Sequence, residues 1–210
     1  MDLVHIQECA VELPAIELLV HEIDQLTHRS FLQLLKVMQH GQRYFLVWEP
    51  TEFSLHEVLA SKCRITECEL AQIAWPILKG LRFLRDQCRA IVSLTPRDIL
   101  FTESGGVKIA FFEKSCKTNS SNAGTMPSSV NSLRLLVEQL MEKNGTDFSW
   151  SKDAQNFKTV LADSSSAELL DDLLRHPFFG QMDGRGGLKM LVQLVNKTAY
   201  HEVKLYRKEK

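Results

Sequence analysis

The chain has 210 residues, 44% hydrophobic and 24% charged, which is enough length and apolar content for one large domain or two small lobes around a packed core. Its formal net charge of −1 gives no basic field for nucleic acid, and no stretch reaches the ~18 uninterrupted apolar residues that a membrane span needs. Five scattered cysteines, Cys9, Cys63, Cys68, Cys88 and Cys116, without a CxxC pair or His at metal spacing, speak for reduced thiols in a soluble, cytoplasmic or nuclear protein, as does an N-terminus with no basic stretch before an apolar run.

In chain order, Ile16, Leu19, Val20, Ile23 and Leu26 recur at three- and four-residue spacing and predict an amphipathic helix over 15–26, ended by Thr27-His28-Arg29-Ser30. The apolar run Phe31 to Val37 and the aromatic, β-branched run Arg43 to Trp48 flank a His40-Gly41 turn and predict two antiparallel strands. Glu49-Pro50 breaks the second strand, because Pro lacks an amide donor and restricts its predecessor. Ser54 then caps a short helix over 55–60, and Thr66 with Glu69 forms a capping box that opens a long helix to about Gln87. The broad apolar face of that helix includes Ile73, Ile77, Leu81 and Leu84, with Pro76 tolerated inside it.

Farther on, two short apolar runs starting at Ile99 and Val107, joined by Glu103-Ser104-Gly105-Gly106, carry a β-hairpin signature entered through Pro96. A polar loop is expected over 118–129, then helices over 130–142, 153–161 and 167–175. Lys143-Asn144-Gly145 and Pro177 supply stops. A Gly-rich turn over 180–187 and a last apolar helix over 188–195 precede the charged tail.

This order of elements, read with its residues, resembles a protein kinase domain. THRSFLQLLKVM looks like the segment after the αC helix, YFLVWEPTEFSLHEVL like the strand, hinge and αD that follow, and LAQIAWPILKGLRFLRDQ like αE. LTPRDILFTESGGVKIAFFEKS is similar to the catalytic loop, its hairpin and the metal-binding motif. VNSLRLLVEQL resembles αF, and LLDDLLRHPFF the end of the helical lobe. The likeness runs from about Ala15 to Phe179. It implies an α+β fold: a mainly α-helical C-lobe over 50–210 with a catalytic-loop β-hairpin, and a reduced β N-lobe remnant over 1–49 made of αC plus about two strands.

Phosphoryl transfer in that family needs a carboxylate for the acceptor hydroxyl, a Lys on the phosphates, metal ligands and a Gly-rich loop. The resemblance sets Ser93 where the catalytic Asp belongs, and an un-ionised hydroxyl does not act as a carboxylate. Thr95 stands for the loop Lys. Asp98 replaces the metal-binding Asn and keeps oxygen ligands, so it is expected either as a loop hydrogen-bond acceptor or as a residual metal contact. Phe111 takes the place of the metal-chelating Asp, Phe112 keeps the apolar packing residue, and Glu113 replaces the pivoting Gly as a solvated charge or a displaced metal ligand.

The first Lys of the chain is Lys36 and the first Gly is Gly41, so neither the phosphate-contacting Lys nor the glycine loop precedes the αC-like helix. The αC Glu position falls on Leu19, and the small-lobe strands ahead of that helix are expected to be missing or unrecognisable. Trp48, at the position controlling access to the nucleotide pocket, either fills that pocket or is a core aromatic, with Glu49 beside it in a vestigial hinge. Ser129 takes the place of the αF Asp that ties to the catalytic loop, which implies a weakened polar link. His176 is expected to lie against the last carbonyls of its helix.

The expectation is therefore a catalytically inactive kinase-like domain, a pseudokinase, that binds or scaffolds another protein without cofactor, nucleic acid or membrane. Two alternatives stand beside it. One is a residual ATP-binding serine/threonine kinase that holds magnesium through Asp98 and Glu113. The other is a fragment of a larger kinase whose N-lobe lies upstream.

Overall fold

A computed structural model describes residues 5–9, 12–110, 115–117, 125–162, 169–182 and 187–199. The expectations placed on Phe111, Phe112, Glu113, most of the 118–129 loop, the start of the 167–175 helix and the charged tail lie outside the described residues, in whole or in part.

The chain opens with a strand that the sequence does not advertise. Strand β1 (His5–Cys9) has three polar residues in five and no clean apolar alternation, yet it pairs antiparallel with the aromatic strand (Arg43–Trp48, β3), from His5 opposite Trp48 to Cys9 opposite Tyr44. Strand β2 (Leu34–His40) takes the other side of β3, so the sheet order is β1-β3-β2. One strand therefore precedes the first helix, and, as expected of the strands ahead of that helix, it carries no recognisable signature in sequence.

The run Phe31 to Val37 is also not the strand it was expected to be, because β2 starts three residues later. Phe31 and Leu32 are buried and are drawn out of the sheet toward the hairpin: the Ile109 amide donates to the Ser30 carbonyl at 2.7 Å and the Leu32 amide to the Ile109 carbonyl at 3.1 Å. Apolar character there serves the core between the sheet and the helical part. Strand β2 then continues as a mostly exposed ribbon held by its ladder to β3.

Helix α1 (Leu13–Gln25) starts with Pro14 in its first turn, where a missing amide costs nothing. Its Ile16 and Ile23, seven residues apart on one face, join the same apolar cluster as Leu46 and Trp48 of β3. Past the break, strand β4 (Phe53–Ser54) leads into helix α2 (Leu55–Ala60), where Ser54 and Glu57 close a capping box. Helix α3 (Glu67–Asp86) starts with the Thr66–Glu69 capping box read from the sequence. Its Leu70, Ile73, Ile77, Leu78, Leu81 and Leu84 are buried, against helix α4 (Thr125–Lys143) on one side and helix α6 (Leu169–Leu174) on another. Helix α4 begins five residues ahead of Val130, inside the stretch expected to be loop. Helix α5 (Lys152–Ala162) sends Phe157 into a ring cluster with Phe178 and Phe179 at centroid distances of 4.9 and 5.0 Å.

After α3 come two short antiparallel pairings that hold the loop of interest. Strand β5 (Arg89–Ala90) pairs with strand β8 (Cys116–Lys117), and strands β6 (Ile99–Phe101) and β7 (Val107–Ile109) form the hairpin, with β4 added to its edge. The last helix, α7 (Lys189–Ala199), buries Leu191, Val192 and Val195 and packs on α2. His176 follows the end of α6, where its amide donates to the Leu173 carbonyl at 3.2 Å, while its ring serves the next turn. Its Nδ1 accepts from the Phe178 amide at 3.1 Å, so it caps the 3-10 turn Pro177–Gln181 ahead of it, leaving Nε2–H to donate to Asn156 Oδ1 at 2.8 Å. Burial holds that imidazole below its ordinary pKa. The whole is an α+β fold of small antiparallel sheets and a mainly helical part, as the resemblance implies.

Candidate functional site

The loop between β5 and β6 is anchored from below by apolar side chains and closed from above by its own polar ones. Ile91, Leu94 and Ile99 are buried, while Ser93 and Thr95 between them are exposed. Pro96 fixes the first φ of a 3-10 turn over Pro96–Asp98. Asp98 is half-buried, and its Oδ2 accepts from both the Thr95 amide and the Thr95 hydroxyl at 2.7 Å. The Asp98 amide returns a bond to the Thr95 carbonyl at 3.0 Å, and its own carbonyl accepts from the Ala110 amide at 2.8 Å. The turn is thereby tied to the end of β7. Thr95 and Asp98, which the sequence places at the loop-Lys and metal-Asn positions, are brought together and satisfy each other. Ser93 stands apart on the surface.

The loop is also tied down at its base. Ser129, fully buried in α4, donates its hydroxyl to the Ile91 carbonyl. A tie between this helix and the loop is thus present at Ser129, the position where the resemblance sets the αF Asp. Beside it, buried Arg89 donates Nε to Ser115 Oγ at 2.8 Å and Nη2 to the Ser115 carbonyl at 2.7 Å, with Glu22 of α1 at 3.6 Å. One guanidinium thus joins α1, β5 and the backbone just ahead of β8.

On the sheet side, Trp48 is 2% exposed, and its indole N–H donates to Gln7 Oε1 on β1 at 3.1 Å. Glu49 is held three ways: its amide donates to the Gln33 carbonyl at 2.9 Å, and its Oε1 accepts from the Gln33 amide at 2.9 Å and from Lys108 Nζ of β7 at 2.7 Å. Trp48 and Glu49 therefore lie at the junction of the sheet and the hairpin. Gln7 and Lys108 escaped the sequence reading. A VAIK pattern laid on Val4–Gln7 would have found Gln7, but the Glu49–Lys108 pair leaves no local signal.

Two cavities lie away from these residues, and a third reaches Gln33 and Lys108 of the Glu49 cluster. One of about 640 Å³ is bordered by Glu8, Glu12, Gln39 and Arg43, one of about 510 Å³ by Met141, Trp150 and Lys158, and one of about 290 Å³ by His28, Arg29, Gln33 and Lys108. Among the described residues no three His, Cys, Asp or Glu side chains gather as metal ligands, and no helix is long and apolar enough to cross a membrane.

A sheet with one helix, an extended connection, and a loop and hairpin set on a helical base define a kinase-like domain. The family model of the protein kinase domain matches residues 15–149, more than half of the chain, and the chain belongs to that family. No curated protein matches it.

Proposed function

We propose that this chain is a catalytically inactive protein-kinase-like domain that serves as a binding or scaffold module for another protein. The observation that carries the reading is Asp98, the one carboxylate on the loop, whose Oδ2 is committed to Thr95. A magnesium ion would have to compete with two short bonds there, and a lone carboxylate is a poor site for an ion that prefers six oxygens. Two further features support the reading. The strand before α1, His5–Cys9, holds no Lys, and its Gln7 is bonded to Trp48, while the resemblance sets Phe111 at the chelating position. The residues present do not fit a magnesium nucleotide.

The test is incubation with labelled ATP, magnesium or manganese, and generic protein acceptors. Transfer is expected to stay at background, and millimolar nucleotide is expected to leave the melting temperature unmoved, whereas a ligand at 100 times its Kd adds about 2.7 kcal/mol. Turnover that Asp98→Ala or Phe111→Ala abolishes would overturn the proposal in favour of a residual serine/threonine kinase.

A further inference from the structure

Around the turn from α1 into β2, charge is distributed unevenly. Arg82 and Arg85 of α3 share Asp86 and Asp171, with the closest contacts at 2.9 Å, and Lys108 has Glu49 at 2.7 Å. Arg29 and Lys79 have no carboxylate partner among the described residues. Lys79 is held in place nonetheless, its ammonium 4.5 Å from the centre of the Trp75 ring. His28, next to Arg29 in the chain, stacks its ring at 4.8 Å on Phe83, one helical turn on from Lys79 in α3, and lies edge-on to Phe31 at 5.7 Å. His28 and Arg29 also border the 290 Å³ cavity, whose floor is Ile23, Phe31 and Leu34 and whose acid is the exposed Asp24 of α1.

Burial and the nearby like charges act together on the titratable groups here. Burial, and then Arg29, Lys79, Arg82 and Lys108, hold the His28 imidazole below its ordinary pKa, and burial with Arg29 and Arg82 does the same to the Lys79 ammonium. Such a face is short of negative charge.

We propose that the face formed by Arg29, Lys79 and the His28 cavity docks an acidic segment of a partner protein, with carboxylates between the two cations and an apolar neighbour in the cavity. The size and charge select this occupant. The cavity lies at the lower edge of the range that holds a small-molecule ligand and suits one or two side chains. Two free cations on a chain of net charge −1 are too few for the multiple phosphate contacts that sustain nucleic-acid binding. The face is separate from Ser93, Thr95 and Asp98, so this proposal and the absence of phosphoryl transfer stand or fall independently.

The experiment titrates the full chain into a fluorescein-labelled peptide of alternating Glu-Glu-Leu units and follows anisotropy at low salt. Saturable binding is expected. It is expected to weaken about tenfold, or 1.4 kcal/mol, in Arg29→Gln/Lys79→Gln, and to hold within about twofold in Arg64→Gln/Lys152→Gln, which removes the same charge elsewhere. The imidazole titration of His28, followed by NMR, is expected to move to higher pH when the peptide saturates. Four results would overturn the proposal: no saturable binding at millimolar peptide, equal weakening in both double variants, displacement by inorganic phosphate at the peptide's own carboxylate concentration, or tighter binding of oligouridylate that the first double variant abolishes. Circular dichroism melts confirm that both variants are folded.

Discussion

Arg89 shows how much one side chain holds together near the loop. Its guanidinium is rigid and planar, so it reaches Ser115 Oγ and the Ser115 carbonyl at once while facing Glu22. A Lys keeps the charge but not the fork. Arg89→Lys is therefore expected to leave one of the two buried Ser115 oxygens without its donor, at a cost of about 1–3 kcal/mol, seen as a lower urea midpoint at unchanged slope. A midpoint equal to that of the wild type would mean that the guanidinium contributes charge alone. At this scale the sequence was legible only where a motif register supplied the address. Ser93, Thr95 and Asp98 could be placed against the family pattern residue by residue. The Trp48–Gln7 and Arg89–Ser115 contacts could not, since their partners lie 41 and 26 residues apart and neither periodicity nor composition links such positions.

Among the elements, those with their own start and stop signals were read correctly: α3 with its capping box, α2 with Ser54, and the β6–β7 hairpin with its Gly pair. Strand β1 and the true start of β2 were hidden, because the first is stabilised by its partner strand and the second yields its apolar residues to the hairpin. Two glycines mark where elements touch. Gly105, at φ +86°, lies in the hairpin turn, and a Cβ there would stand 2.5 Å from the Lys189 amide nitrogen at the start of α7. Gly80 of α3 faces the hairpin and the 30–31 segment, where a Cβ would meet Ile109 Cδ1 at 2.8 Å and Phe31 Cε1 at 3.1 Å.

An Ala at position 80 gains about 1 kcal/mol of helix propensity against about 1–3 kcal/mol of overpacking beside two buried side chains. At position 105 there is no such gain, the left-handed backbone adds about 1–2 kcal/mol, and the obstacle is backbone. Gly105→Ala is expected to lower the melting temperature by at least about twice as much as Gly80→Ala, each 1 kcal/mol corresponding to about 2–4 °C in a chain of this size. The reverse order would mean that α7 moves away from the hairpin at little cost.

Across the whole molecule, one apolar cluster runs from Cys9, Tyr44 and Trp48 of the sheet through Phe31 and Ile109 to the buried faces of α3, α4 and α7. The junction is reinforced by the Ser30–Ile109 and Leu32–Ile109 backbone bonds and by Lys108 on Glu49. Chains longer than about 150 residues often unfold through intermediates, and a three-stranded sheet with an exposed β2 is the obvious part to melt first. The continuity of the core argues against that. Isolated from α3, Phe31 and Leu32 would lose burial worth roughly 1.5–3 kcal/mol each, together with the Ile109 bonds, so the sheet has little to gain by staying folded alone or by detaching early. The three tryptophans allow a direct test, as Trp48 lies in β3, Trp75 in α3 and Trp150 just before α5. In Trp75→Phe/Trp150→Phe, fluorescence reports on Trp48 alone, and its urea midpoint is expected to coincide with that of the helix signal by circular dichroism. In Lys108→Met the ion pair is lost but the backbone bonds remain, so both midpoints are expected to fall together. A Trp48 transition at lower urea than the helix signal, in either background, would mean that the sheet and the helical part are separate cooperative units joined only through the 30–33 segment.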